Sequence, residues 1–174
     1  MDKSYWNNIY VNEVVTTNRS PFAKFCYDNF LSENDLLIDL GCGNGRDSIF
    51  FFKNKLNVVS IDQSLKKNLI LNKIQSNENN TKNKISFFKD DFIKFDYKKI
   101  NKINVFYSRW TIHSISKKQE DKLFAVIEKN LNTSGYFCIE VRTINDPLFG
   151  QGTFVEKNAY FTDHYRRFID PADI

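Results

Sequence analysis

The sequence predicts an α/β fold built on a doubly wound, mainly parallel sheet. Three observations carry this expectation. Apolar strand-like runs alternate with helix-like segments five times. The run Leu36-Leu37-Ile38-Asp39-Leu40 breaks into glycines spaced G-x-G-x-G, at Gly41, Gly43 and Gly45, and a helix start follows at once. The second strand ends in an acid, Asp62, 21 residues beyond Gly41. In such sheets ligands sit beyond the C-terminal ends of the strands. The singular residues fall there: Gly41 to Gly45, Asp62, Asp90 and Asp91, Ser108 to His113, and Arg142.

Residues 3–11 read as a short helix carrying Tyr5, Trp6, Ile9 and Tyr10. Ser20-Pro21 reads as an N-cap with Pro at the first helical position, opening a helix through Ala23, Phe25, Cys26 and Phe30. The first strand is 35–40. A helix over 47–55 carries Ile49, Phe50, Phe51 and Phe52 onto the sheet. Val58 to Asp62 is the second strand. Ser64 caps a helix whose apolar side is Leu65, Leu69, Ile70 and Ile74, and the polar 77–84 patch is a surface loop. Ile85 to Lys89 is the third strand, and Asp90-Asp91-Phe92 follows it. Ile103 to Ser108 is the fourth. Ser116 caps a helix through Leu123, Val126, Ile127 and Leu131 that ends near Gly135, and Tyr136 to Arg142 is the fifth strand.

A chain of 174 residues, 41% hydrophobic, fits one domain. Its parts are an N-terminal helical segment (1–34), a core (35–142) and a closing segment (143–174). Net charge is +4, and 19 of the 25 cations are lysines. That balance gives little support to a nucleic-acid partner, which favours clustered arginine. Cys26, Cys42 and Cys138 have neither zinc-site nor disulfide-framework spacing, and a reducing cytoplasm suits them. No metal site is expected. No apolar run reaches membrane-spanning length, and the first residues lack a signal-peptide pattern.

Glycines let a backbone approach a ligand where a side chain would collide, and a helix N-terminus adds free N–H groups. An acid ending the second strand can accept both hydroxyls of a ribose. NAD and S-adenosylmethionine (SAM) sites share that arrangement. The dinucleotide fingerprint wants its third glycine five positions after the first, where this chain has Arg46; the third glycine stands at Gly45. With Asp39 in the strand and Cys42 between glycines, the segment resembles motif I of class I SAM-dependent methyltransferases. The resemblance runs from about 35 to 142.

That resemblance implies a Rossmann-like sheet and a site for SAM, with S-adenosylhomocysteine (SAH) as product. Asp39 and the backbone of Gly41, Cys42, Gly43 and Gly45 would face the methionine part. Asp62 would hold the ribose, with Gln63 beside it. Asp91, or else Asp90, would accept the adenine amino group, and Phe92 would pack near the ring. Ser108 would lie near the sulfonium.

On the acceptor side, His113 is a candidate general base, because an ordinary imidazole titrates near neutral pH; the alternative is a histidine packing the next helix. Arg109 either grips an anionic acceptor or pairs with a nearby acid. His164 lies in the run Tyr160 to Phe168, whose His-Tyr-Arg-Arg suits a phosphate or sugar acid, or else is an amphipathic strand. Residues 145–158, with Pro147, Gly150 and Gly152, read as a lid. The three motifs together resemble a bacterial subgroup of small-molecule methyltransferases, some linked to surface-polysaccharide synthesis. The expected activity is O-methylation of a sugar or phosphorylated metabolite; a non-catalytic SAM-binding module or partner subunit is the alternative. The resemblance also implies seven strands, and this chain lacks sequence for the last two. Asp170-Pro171 reads as the start of a helix. A five-stranded sheet would leave the fifth strand as an edge, which predicts a homodimer or a shielding segment drawn from 145–168.

Overall fold

The computed structural model describes residues 5–6, 18–64, 82–100 and 102–173. Five strands form one parallel sheet in the order β3-β2-β1-β4-β5. They are β1 (Leu36–Leu40), β2 (Asn57–Ile61), β3 (Ile85–Phe88), β4 (Ile103–Arg109) and β5 (Leu131–Glu140). The central strand β1 is buried on both faces, which explains its unbroken apolar run. Alternate residues feed two cores. Ile38, Leu40 and Phe106 pack with Leu123, Ile127 and Phe92, while Leu37, Val105 and Tyr107 pack with Ala23, Cys26 and Phe51.

Helix α1 (Pro21–Phe30) starts as expected: the Ser20 hydroxyl accepts the Ala23 N–H at 3.0 Å and Pro21 takes the first helical position. Helix α2 (Arg46–Lys53) follows the glycine turn directly. Helix α3 (Lys117–Asn130) opens with a reciprocal capping box between Ser116 and Gln119. It ends earlier than expected, because Leu131 turns extended to begin β5. Gly135 lies inside β5, where an added Cβ would meet the Asn104 carbonyl at 2.6 Å. The register slips there, between the Ile103–Leu131 and Val105–Tyr136 pairs.

The expected helix beginning at Ser64 lies at residues outside those described, as does most of 3–11. Residues 153–167 form a separate antiparallel meander, β6 (Thr153–Glu156), β7 (Ala159–Phe161) and β8 (Tyr165–Arg167). They therefore do not shield β5 by pairing with it. Pro171–Asp173 is a single 3-10 turn, where a helix start was expected. The meander is tied to the main sheet at Ile169, whose N–H donates to the Arg142 carbonyl at 2.8 Å.

Candidate functional site

The glycine turn joins β1 to α2 at the C-terminal edge of the sheet. Gly41, Gly43 and Gly45 all have positive φ (+75°, +55° and +72°), a region closed to most side chains. At Gly41 space also forbids a side chain: an added Cβ would meet the Thr111 hydroxyl at 2.4 Å. The exit of β4 therefore packs directly against the turn.

The turn's N–H groups are committed to the protein. Those of Gly41 and Cys42 donate to the Ile61 carbonyl at 2.8 and 3.3 Å, and that of Gly45 donates to the Cys42 carbonyl at 2.9 Å. The Gly43 N–H donates to Asp62 Oδ2 at 2.9 Å, and that of Arg46 to Asn44 Oδ1 at 3.3 Å. The expectation of free donors for a ligand is thus corrected at these five positions. The glycines permit close approach; they do not offer an anion cradle.

Acids dominate the surroundings instead. Asp62, half-buried, accepts the Gly43 N–H on one oxygen and the Ser64 N–H on the other, at 2.7 Å. Each oxygen keeps lone-pair capacity for a further donor. Burial raises its pKa against those two hydrogen bonds. Asp39 is 3% exposed and takes a hydrogen bond from Ser48. Burial lifts its carboxyl to about 8, the Ser48 bond lowers it, and the charges of Asp47 and Asp62 raise it further. Burial and the charges of Asp39 and Asp62 also push the Cys42 thiol up. Asp47, in the first turn of α2, accepts the Ser20 N–H, the Ser20 hydroxyl and the Tyr107 hydroxyl at 2.7–2.8 Å. That network anchors the start of α1 to the glycine turn.

The remaining cofactor-side candidates divide. Gln63 is half-buried beside Asp62. The Asp62 N–H donates to the Phe88 carbonyl at 3.0 Å, so the exits of β2 and β3 adjoin. Asp90 is exposed and caps the Asp91 N–H at 2.7 Å; Asp91, half-buried, caps the Ile93 N–H at 2.9 Å. Phe92 differs from the expectation. Its ring is sealed in the main core and has no free face for a ligand. Ser108 is fully buried, and its hydroxyl has no partner among the described residues.

The acceptor-side candidates converge around one turn. Trp110 holds a positive φ of 57°, an uncommon conformation for a bulky residue, and its N–H donates to the Glu140 carbonyl at 2.9 Å. The Arg109 and Arg142 guanidiniums lie 5.6 and 5.0 Å from its ring centre. Arg109 pairs with Glu140 at 2.6 Å, its opposite number in the β4–β5 register. Of the two readings left open for Arg109, the structure shows the pairing with an acid. Arg142 pairs with Asp146 at 2.7 Å, which is where the start of the expected lid is fixed.

His113 sits in the short turn after β4, 3% exposed, with its ring edge-on to Trp110. Burial, then the charges of Arg142, His164 and Arg166, lower its pKa to about 3 against the opposing pull of Asp146. The expectation of an ordinary imidazole is corrected: His113 is neutral at pH 7 and a weak base. Its Nδ1 is buried and has no partner among the described residues. His164 is 4% exposed, lies 3.2 Å from Asp163, and stacks on Tyr5 at 4.1 Å with Trp6 edge-on. The Tyr5 hydroxyl donates to Asp163 at 2.7 Å.

Sequence reasoning missed Tyr5 and Trp6 as site residues, and it missed Thr111, Asp47 and Asp146. Aromatic density near the N-terminus was the one available signal for the first two. Among the described residues no group of His, Cys, Asp and Glu is arranged to hold a metal, and no helix is long and apolar enough to cross a membrane.

A family model described as a methyltransferase domain matches residues 31–165. No individual curated protein sequence matches. The fold resembles the CcbJ methyltransferase of Streptomyces caelestis (TM-score 0.74, 12% identity, covering 99% of this chain and 84% of that one). It also resembles a SAM-dependent methyltransferase of Methanosarcina mazei (0.71, 15%, 90% and 81%). A third similar structure is the Burkholderia thailandensis 1,6-didemethyltoxoflavin N1-methyltransferase, solved with its substrate and SAH (0.68, 17%, 95% and 66%). Against a mycolic acid cyclopropane synthase the chain spans 39% of the other protein's length. At these identities the likeness is one of fold.

Proposed function

The chain belongs to the methyltransferase-domain family, and from that premise we propose that it binds SAM at the glycine turn and transfers the methyl group to a small molecule. The observation that carries this reading is the inverted polarity of the cradle. Five of its N–H groups are spent inside the protein, while Asp39, Asp47 and Asp62 surround it. A pyrophosphate would find carboxylates there and few donors. A ligand bearing a cation and ribose hydroxyls would find acceptors.

SAM supplies an activated methyl on a sulfonium, so the protein's share is binding and alignment. In this reading Asp62 accepts ribose hydroxyls with Gln63 beside it, and Gly41, Cys42, Gly43 and Gly45 leave room for the methionine part. Asp39 faces the methionine part as well, Asp91 or Asp90 meets the adenine amino group, and Ser108 lies near the sulfonium. Phe92 contributes through the core that holds Asp91. His113, His164 and Arg109 form the acceptor side.

We take the acceptor atom to be a hydroxyl, on a sugar or phosphorylated metabolite of surface-glycan synthesis. A hydroxyl gains acidity as the methyl arrives, so even the weakly basic, neutral His113 can receive its proton late in the transfer. Three free buried cysteines support a reducing, cytoplasmic setting. The β5 edge, beside exposed Phe25, Phe30 and Tyr136, supports a homodimer; a light-scattering mass of one protomer would count against it. The second reading, a SAM-binding module without catalysis, draws on the low basicity of His113.

Calorimetry with SAM, SAH and NADH tests the shared premise. SAM and SAH should bind and NADH should not; NADH binding without SAM binding would overturn it. Transfer of labelled methyl from SAM to any acceptor separates the enzyme from the non-catalytic module.

A further inference from the structure

Four of the chain's six arginines gather at the acceptor end: Arg109, Arg142, Arg166 and Arg167. In a lysine-rich sequence this looks like an anion site. The structure pairs each one with an acid. Arg109 holds Glu140 at 2.6 Å, Arg142 holds Asp146 at 2.7 Å, and Arg166 holds Asp163 at 2.7 Å. Arg167 pairs with Glu120 in the interior and donates to the Ile115 carbonyl at 3.2 Å.

These are working ion pairs. Although burial pushes the Asp146 carboxyl up, the Leu148 N–H and Arg142 outweigh it and hold it below the usual range. Burial likewise pushes Asp163 up, and hydrogen bonds from Thr162, Arg166 and Tyr5 hold it well below. With His113 neutral, these pairs leave no net charge among them. What faces the same place is aromatic: Trp110, Tyr5 on His164, and Trp6. His113 Nδ1 is one of the buried polar atoms there without a hydrogen-bond partner among the described residues, together with Ser114 Oγ, Arg109 Nε and Glu140 Oε2; as the neutral ring's nitrogen it can accept from a hydroxyl.

We propose that the acceptor meets this end of the fold with an uncharged, hydroxyl-bearing ring, carrying no phosphate or carboxylate at its reacting end, and that its hydroxyl bonds His113 Nδ1. This rests on the methyltransferase reading, and it selects the sugar over the phosphorylated metabolite. An anion would have to displace the carboxylate paired with each guanidinium. A neutral ring loses nothing by stacking on Trp110 and Tyr5 and satisfies an orphaned nitrogen.

The test uses inorganic phosphate as the probe on SAH-saturated full-length protein, followed by ³¹P line broadening. The wild type should show no saturable binding up to about 20 mM, a limit of roughly −2.3 kcal/mol. Asp146→Asn releases Arg142 and Asp163→Asn releases Arg166, and each should bind phosphate at least tenfold more tightly than the wild type. Two variants are used so that a folding defect in one, read by near-ultraviolet circular dichroism, leaves the other decisive. Millimolar binding by the wild type that Arg142→Met abolishes would overturn the proposal. Failure of both folded variants to gain phosphate binding would also overturn it, because the acids would not then be what disarms the arginines. SAM affinity measured on the same samples reports separately on the methyltransferase reading.

Discussion

Replacing Asp39 by Asn should flatten the fall in stability that the wild type shows above neutral pH. The carboxyl is raised from 3.8 to about 8, chiefly by burial. Between those values the native state holds a proton that the unfolded chain has released, so stability falls as pH rises until the native carboxyl ionises. His113 acts in the opposite sense. Its pKa drops from 6.5 to about 3, so between those values the unfolded state binds the extra proton and stability rises with pH. Each slope is about 1.36 kcal/mol per pH unit. From about pH 4 to 6.5 the two oppose and cancel. Above 6.5 His113 is neutral in both states and no longer opposes the Asp39 slope, which costs about 2 kcal/mol by pH 8. With a urea m-value of about 2 kcal/mol/M, the midpoint should move down by roughly 1 M between pH 6.5 and 8. Asp62, also raised by burial, adds a slope of the same sign, so the decisive quantity is the difference between wild type and Asp39→Asn. Asn keeps an oxygen for the Ser48 hydroxyl and carries no charge. Equal midpoint shifts in the two proteins would refute the reasoning.

Four other substitutions probe separate links. Gly41→Ala should destabilise the fold by about 1–2 kcal/mol from its left-handed backbone alone, and by more through the Cβ that meets Thr111; adding Thr111→Gly should recover only the steric part, as read by thermal unfolding. Asp62→Ala removes the acceptor of the Gly43 and Ser64 N–H groups as well as the proposed ribose contact, so SAM affinity should fall by more than tenfold in calorimetry, at about 1.5–3 kcal/mol for each hydrogen bond to a charged group. Glu120→Gln leaves Arg167 buried without its counter-charge and should cost about 3–5 kcal/mol in urea unfolding. His113→Ala should leave SAM binding unchanged and slow methyl transfer; unchanged turnover would remove His113 from the chemistry.

The sheet was legible because its signals are local. An apolar run, three glycines and a Ser-Pro cap each specify backbone within a few residues, and β1, α2 and α1 stand where those signals put them. The end of α3 was not legible. Gly135 looks like a helix stop, but its role is close approach to the β4 backbone, and that depends on a strand register no local pattern encodes. The same distinction explains the site. The Asp62 position follows from strand length, whereas the partners of the arginines follow from pairing across elements: Arg109 meets Glu140 through the β4–β5 register, and Arg167 meets Glu120 because β8 folds back toward the start of α3. A run such as His-Tyr-Arg-Arg therefore reports where cations are and says nothing about whether their charge is spent. The imidazole of His113 makes the point chemically. Its sequence neighbours suit a base, but burial beside Arg142 and Arg166 leaves it neutral and weak. Such a group suits a reaction whose leaving group is already activated, because the nucleophile needs orientation first and a proton acceptor only at the end. The two halves of the site are joined at Thr111, which fills the space a side chain at Gly41 would need. The glycine that permits the proposed cofactor turn is thus also what lets the turn after β4 press against it, and a change at either residue should be felt on both sides.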